Sequence, residues 1–278
     1  MENKKRILII GGDERQQYLC SQIKKTNPLT QHIYRDSDKT DLSEKISTAD
    51  VIILPLPITK NSKNVFSKDN SLNLSLTELK KNISETSTVL GGMFESAFKS
   101  YLKEKNISFF DFYLDSGLIT ENSYLTALGT LRLVLENTKE SITSKKFLVT
   151  GFGALSKAVT HYLKAMDADV YVAARNKAQQ TQAKCLGCNA LNITDIEKTA
   201  HIYDFIINTV PSQIFENSCI SKFKKESVYI ELASKPFGAK KEDFENKNIT
   251  YVFAPSLPGR FFPKSSAKAI YNSIYKYL

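Results

Sequence analysis

Short apolar runs alternate with helical stretches from one end of the chain to the other, and few architectures accept that alternation. In the first half the runs lie at residues 6–10, 32–34, 51–55, 88–91 and 107–112. In the second they lie at 147–150, 169–173, 205–208, 228–232 and 251–254. Each reads as a buried strand, and the intervening helical segments supply the crossovers that parallel strands need. The expected fold is α/β, with two doubly wound Rossmann-like domains of five strands each and an interdomain cleft where ligands gather at the carboxyl ends of the strands. A length of 278 residues agrees, because one core rarely serves so long a chain.

The expected division places a substrate domain of flavodoxin or Rossmann type at residues 1–120 and an interdomain helix at 121–140. An NAD(P)-binding Rossmann domain follows at 141–262, and a C-terminal helix at 263–278 packs back on the N-terminal domain. The linking helix carries Leu125, Leu128, Leu131 and Leu135 at helical spacing, with only Gly129 as a breaker. The last helix sets Ala269, Ile270, Ile274 and Tyr277 on one side. Residues 70–82, rich in Asn, Ser and Leu, read as an irregular excursion.

The basic residues at the N-terminus precede an apolar run that stops after four residues at a glycine pair, which is a buried strand rather than a signal peptide. No stretch approaches the roughly 18 to 20 apolar residues that cross a bilayer, so a soluble, cytoplasmic protein without membrane contact is expected. The formal charge of +9 comes from lysines scattered in pairs at the ends of predicted elements, not from a basic platform with interleaved aromatics. Nucleic acid is therefore not an expected partner, whereas small anions are. Cys185 and Cys188 have redox or zinc spacing, but no second pair or His cluster completes a metal site.

The chemistry concentrates after residue 146. A short strand leads into Gly151-Phe152-Gly153-Ala154-Leu155-Ser156 and then into a helix. In a dinucleotide site the first glycine permits the tight turn, and the second lets a pyrophosphate reach the amides of Ala154 and Leu155 at a positively polarised helix start. A plain strand-to-helix turn is the bland counterpart of this motif, but two further features follow in the right order. The next strand ends in Arg175-Asn176-Lys177, where an acidic residue would hold a ribose 2′-hydroxyl and an arginine pairs instead with a 2′-phosphate. NADP is thus expected ahead of NAD. Beyond it, Asn208-Thr209-Val210-Pro211 closes a strand where a nicotinamide ribose would lie.

In the first half, Gly11-Gly12-Asp13-Glu14-Arg15-Gln16 lacks the G-x-G spacing and puts carboxylates where a pyrophosphate would sit. It reads as a substrate loop, with Gly12 allowing close approach and Arg15 available to a carboxylate; a capped turn is the alternative. Thr59 with Lys60, and Arg260 with Lys264, lie on proline-stiffened loops expected to face the same cleft. His32, His161 and His201 are the only histidines, and none closes a strand of the second half, so a His-carboxylate acid-base pair is not expected. Any base is then a Lys, Asp or Glu side chain or the substrate itself, Lys60 being one candidate.

Taken in order, Gly11-Gly12-Asp13-Glu14-Arg15-Gln16, the Gly151 turn, Val172-Ala-Ala-Arg175, Ile207-Asn-Thr-Val-Pro211, Glu231-Leu-Ala-Ser234 and Ala254-Pro-Ser-Leu-Pro-Gly259 resemble the A-subunit family of sporulation dipicolinate synthases. The likeness spans nearly the whole chain. It departs at Ser156, where relatives would carry glycine, and at Leu128, where an acidic residue would precede Gly129. The resemblance implies an NADP-dependent oxidoreductase that converts dihydrodipicolinate into pyridine-2,6-dicarboxylate in the mother cell of a sporulating bacterium. It also implies a flavoprotein-like partner, the B subunit, and is compatible with a homo-oligomer. Arg15, Arg260 and Lys264 would then bind the small dicarboxylate. A shikimate-dehydrogenase-like reductase, or a non-catalytic nucleotide-binding subunit that organises a flavoprotein, are the alternatives.

Overall fold

The first apolar run folds as β1 (Ile7–Ile10), buried along its length. Its period of two sends Leu8 and Ile10 to one face of a sheet and Ile7 and Ile9 to the other. After β1 come α1 (Glu14–Lys24), β2 (Gln31–Ile33), α2 (Leu42–Thr48), β3 (Val51–Ile53), α3 (Leu76–Asn82), β4 (Thr88–Gly91), α4 (Ser96–Glu104) and β5 (Ser108–Asp111). These strands form one parallel sheet in the order β2-β1-β3-β4-β5, so β1 pairs with both β2 and β3. The order reverses between β1 and β3, where open sheets of this kind place ligands.

A long helix, α5 (Ser116–Glu136), leads to β6 (Lys146–Thr150), α6 (Ala154–Ala165), β7 (Asp169–Ala174), α7 (Lys177–Cys185) and β8 (Asn189–Asn192). Then follow α8 (Ile196–Thr199), β9 (Phe205–Asn208), α9 (Asn217–Ile220), β10 (Val228–Glu231) and β11 (Thr250–Phe253), and the chain closes with α10 (Leu257–Phe261) and α11 (Pro263–Ile274). The second sheet is also wholly parallel, in the order β11-β10-β9-β6-β7-β8. Counted from its own first strand, β6, that is the dinucleotide-binding order 3-2-1-4-5-6 read from the other edge.

The computed structural model describes residues 4–278. They divide into two units, one made of the chain up to Asn122 with Gly259–Leu278 and the other of Ser123–Pro258. The division falls inside α5 and inside α10. Within the first unit, Ala267, Ala269, Ile270 and Ile274 of α11 share a core with Leu19 and Ile23 of α1.

Three details differ from the sequence expectation. The second sheet has six strands, not five: β8, Asn-Ala-Leu-Asn, is an edge strand with no buried residue, so it shows no apolar run. Residues 76–82 are helical rather than irregular, because Ser75 caps the Glu78 amide (3.0 Å) and Leu76 and Leu79 are buried. The linking helix starts earlier than residue 121, at Ser116.

Among the described residues, no helix is long and apolar enough to cross a membrane and no His, Cys, Asp and Glu group could hold a metal ion. All four cysteines are free thiols, and burial raises the Cys188 pKa, the reverse of a reactive pair.

Candidate functional site

In the second unit the site is built on the turn after β6. Gly151 has φ +80, and a Cβ there would stand 3.0 Å from Val210 Cγ2 and 3.1 Å from Thr209 Oγ1. Left-handed backbone and a close neighbouring loop together require glycine. The fold does not require glycine at 153. Its φ of −86 suits any residue, and a Cβ would meet nothing within 4 Å. The space over the start of α6 is open. No side chain caps this helix, no acidic residue lies in its first turn, and Ala154 is exposed. Its first amides therefore face outward, the arrangement that holds a pyrophosphate. Ser156, the departure from the fingerprint, is fully buried and its Oγ donates to the Gly153 carbonyl at 3.1 Å. A small hydroxyl residue thus fits where glycine is usual and stiffens the turn.

The end of β7 lies beside this turn, since Gly151 N donates to Ala173 O at 2.8 Å. Arg175, Asn176 and Lys177 follow, all exposed. Asn176 caps α7 by accepting from Gln179 N at 2.8 Å, and Gln180 Nε2 donates to Ala174 O at 2.9 Å, which fixes the backbone that carries Arg175. A lysine at the first position of a helix opposes the macrodipole unless an anion sits there.

At the end of β9 the expected contact residues serve their own chain first. Thr209 Oγ1 donates to Thr150 O at 2.6 Å, and Thr150 Oγ1 donates to Asn208 Oδ1 at 2.6 Å. Asn208 is fully buried; it receives the Val210 amide (3.1 Å) and donates to Val210 O and to Glu231 Oε1 (2.7 Å). Asn208 therefore shapes the loop, while Thr209, Val210 and the exposed Pro211 form its outer side. The fully buried carboxyl group of Glu231 also accepts from Tyr229 OH (2.9 Å), Ala233 N (3.0 Å) and Gly238 N (2.8 Å). Burial, then the charge of Glu231, raises the Tyr229 pKa well above its ordinary value. Sequence reading missed this hub, although a carboxylate ending the run Val-Tyr-Ile was its signal.

In the first unit the loops after β1 and β3 meet, but not as expected. Gly12 is occupied by its own chain: its amide donates to Phe66 O (2.7 Å) and its carbonyl accepts from Lys68 N (2.8 Å). At Gly11, with φ +65, a Cβ would stand 2.6 Å from Phe66 O. The glycine pair thus admits residues 65–68, not a ligand. Arg15, expected to be available, is buried and paired with Asp13 through Nε (2.9 Å) and Nη2 (2.8 Å), and Nη2 also reaches Leu56 O (2.7 Å). Gly259 packs on this pair, its hypothetical Cβ 3.0 Å from Arg15 Nε. Arg260 and Lys264 are exposed, with the Arg260 guanidinium 4.7 Å from the Phe261 ring. Gln16 Nε2 is buried with no acceptor, while its Oε1 receives Asp13 N at 3.0 Å. Thr59 is bonded to Asn61 (3.2 Å) and Lys60 Nζ stands 3.9 Å over the Phe66 ring. The structure thus brings Arg15, Gln16 and Gly259 together, engages Thr59 and Lys60 elsewhere, and leaves Arg260 and Lys264 as the exposed cations beyond Gly259.

An open helix start on a sheet of this strand order is the architecture of a dinucleotide-binding domain. Residues 132–235 match the family described as D-isomer specific 2-hydroxyacid dehydrogenase, NAD binding domain. The chain is therefore an NAD(P)-dependent oxidoreductase by class. Residues 6–113 match the family of the N-terminal domain of the dipicolinate synthase A subunit. The dipicolinate synthase A subunit of Bacillus subtilis (strain 168) is 24% identical over 292 residues, covering 98% of this chain and 95% of that protein. Among the solved structures that share the fold are two of dipicolinate synthase A subunits. The dipicolinate synthase A subunit from Bacillus halodurans has a TM-score of 0.86 at 22% identity, with 98% of this chain and 97% of that one covered. The dipicolinate synthase A chain from Bacillus subtilis has a TM-score of 0.84 at 21% identity, with 100% and 96% covered. From end to end the chain is similar to the A subunit of dipicolinate synthase.

Proposed function

We propose that this oxidoreductase oxidises dihydrodipicolinate to pyridine-2,6-dicarboxylate with NADP, in the cytoplasm of a sporulating mother cell, and acts with a flavoprotein-like B subunit. What carries the reading is the open space over Gly153 beside an exposed Arg175, on a chain similar throughout to the dipicolinate synthase A subunit. Ala154, Leu155 and the Thr209–Pro211 loop would hold the dinucleotide, and Arg175 with Asn176 and Lys177 its 2′-phosphate. When bound, a nicotinamide supplies a hydride acceptor. The ring substrate loses a hydride with its electron pair and one proton, and becomes aromatic. So little acid-base help is needed that solvent can take the proton. One carboxylate would be held by Arg260 and Lys264, the exposed cations beyond Gly259.

The test is turnover of dihydrodipicolinate with NADP and with NAD, by the chain alone and with its partner subunit. Arg175→Asp is expected to weaken NADP by about 10- to 100-fold, as loss of a charge-assisted pair to phosphate and its replacement by repulsion would, and to leave NAD binding nearly unchanged. Unchanged NADP affinity would refute the cofactor choice. A wild-type chain that binds nucleotide but turns over nothing, with or without partner, would leave only a nucleotide-binding role.

A further inference from the structure

Met93 is a methionine with φ +63, in the left-handed region, and 45% exposed. Both features are unfavourable for its side chain, and glycine or asparagine would suit the position better. The turn is nevertheless fixed firmly. The nearly buried carboxylate of Asp111 accepts from Met93 N (3.0 Å), Phe94 N (3.3 Å) and Tyr113 N (3.3 Å), and Lys99 Nζ lies 3.0 Å from it. A strained residue that its surroundings hold in place points to function.

Its position says which function. Met93 follows β4, at the carboxyl end of the first sheet. Gly92 is bonded both ways to the loop after β3, donating to Pro55 O (3.2 Å) and accepting from Ile58 N (3.0 Å). At Gly92 a Cβ would stand 2.7 Å from the Phe112 ring and 3.0 Å from Leu56 Cβ, so the two loops are packed as one surface. The carbonyl of that same Leu56 holds Arg15. Met93 thus presents an exposed apolar side chain on a loop packed against the one whose Leu56 carbonyl holds Arg15, and Gly259, which packs on Arg15, leads directly to the exposed Arg260.

Building on the proposed dicarboxylate substrate, we infer that Met93 is a specificity-determining residue whose thioether side chain forms the apolar wall against the planar ring of the substrate. A flexible, polarisable side chain suits the flat face or edge of a conjugated ring, which cations binding the carboxylates cannot recognise.

The test uses the full chain and pyridine-2,6-dicarboxylate as the probe. Wild type, Met93→Gly, Met93→Asn and Met93→Leu are titrated by calorimetry, with NADPH binding and thermal unfolding measured in parallel. Met93→Gly and Met93→Asn are expected to bind the dicarboxylate about five- to tenfold more weakly, the effect of exposing part of an apolar side chain. Their Tm should hold or rise by about 2 °C with the strain removed, and NADPH binding should not change. Met93→Leu should stay within about twofold of wild type. A residue with only a structural role would not separate dicarboxylate affinity from stability in this way. Wild-type dicarboxylate affinity in Met93→Gly or Met93→Asn overturns the inference. If the wild-type chain itself binds NADPH but no dicarboxylate, the substrate reading fails first and this inference falls with it.

Discussion

Gly151 and Gly153 stand two residues apart in one turn, yet replacing each by alanine should have opposite effects on stability. At Gly153 the backbone is ordinary, φ −86 and ψ −168, and the added methyl meets nothing within 4 Å. Alanine there removes only unfolded-state freedom, a gain of about 0.4–1 kcal/mol. For a unit of this size that raises Tm by about 1–4 °C. The same methyl would occupy the space through which a pyrophosphate reaches the amides of α6. Losing one hydrogen bond to a charged group, roughly 1.5–3 kcal/mol, weakens binding about 10- to 100-fold. At Gly151 the φ of +80 costs a β-carbon about 1–2 kcal/mol, and the contacts of 3.0 and 3.1 Å with Val210 and Thr209 add to it. Gly151→Ala should therefore lower Tm by about 4 °C or more and weaken binding as well. Thermal unfolding by circular dichroism and titration of NADPH fluorescence read both quantities. Wild-type NADPH affinity in a stable Gly153→Ala chain would show that no phosphate is cradled at this turn.

Two further outcomes concern the first unit. Arg15→Leu leaves Asp13 without its partner and frees the Leu56 carbonyl, so it should cost about 2–4 kcal/mol in urea unfolding; a loss below about 0.5 kcal/mol would mean that the pair is not a structural clamp. His32 has its pKa lowered by burial, with its Nε2 3.0 Å from Gly11 O. Below the unfolded value of about 6.5 the unfolded chain binds the extra proton, so the stability contributed by His32 is complete above that pH and declines as pH falls towards the folded pKa. His32→Gln should flatten that acid decline between about pH 7 and 5, and an unchanged slope would assign it to other groups.

Much of the fold can be read from residue order because buried parallel strands are apolar along most of their length. β1, β4, β6 and β9 announce themselves in that way. The strand that escapes notice is β8, whose edge position spares it from needing apolar residues. The dinucleotide turn is legible for a similar reason, since glycine spacing and backbone geometry are local. The first-unit site is not local. Nothing near Gly11 in sequence reveals that residues 65–68 will lie against it, nor that Arg15 will be drawn to the carbonyl of Leu56, 41 residues away. Cations read from sequence as free can be consumed by long-range partners, and Arg15 is such a case. Arg175 and Arg260 stay exposed because they sit at element ends, where no fold contact draws the side chain inward.

The Glu231 carboxyl group joins three strand ends through Asn208, Thr150 and the Gly238 amide, with Tyr229 bonded from beneath. At Gly238 a Cβ would stand 2.7 Å from Tyr229 OH, so even the loop that returns after β10 is bound into the same unit of structure. Substitutions at these positions cannot act independently. Each single change strands a partner in a dry interior, while a matched double change removes donor and acceptor together, so paired variants should recover part of what single ones lose. Sequence drift at this end of the second sheet is then constrained to move in concert, whereas Arg175, outside the hub and exposed, is free to change alone. With Arg175 holding the 2′-phosphate as proposed, cofactor preference would switch in one step, on a scaffold that must change in several.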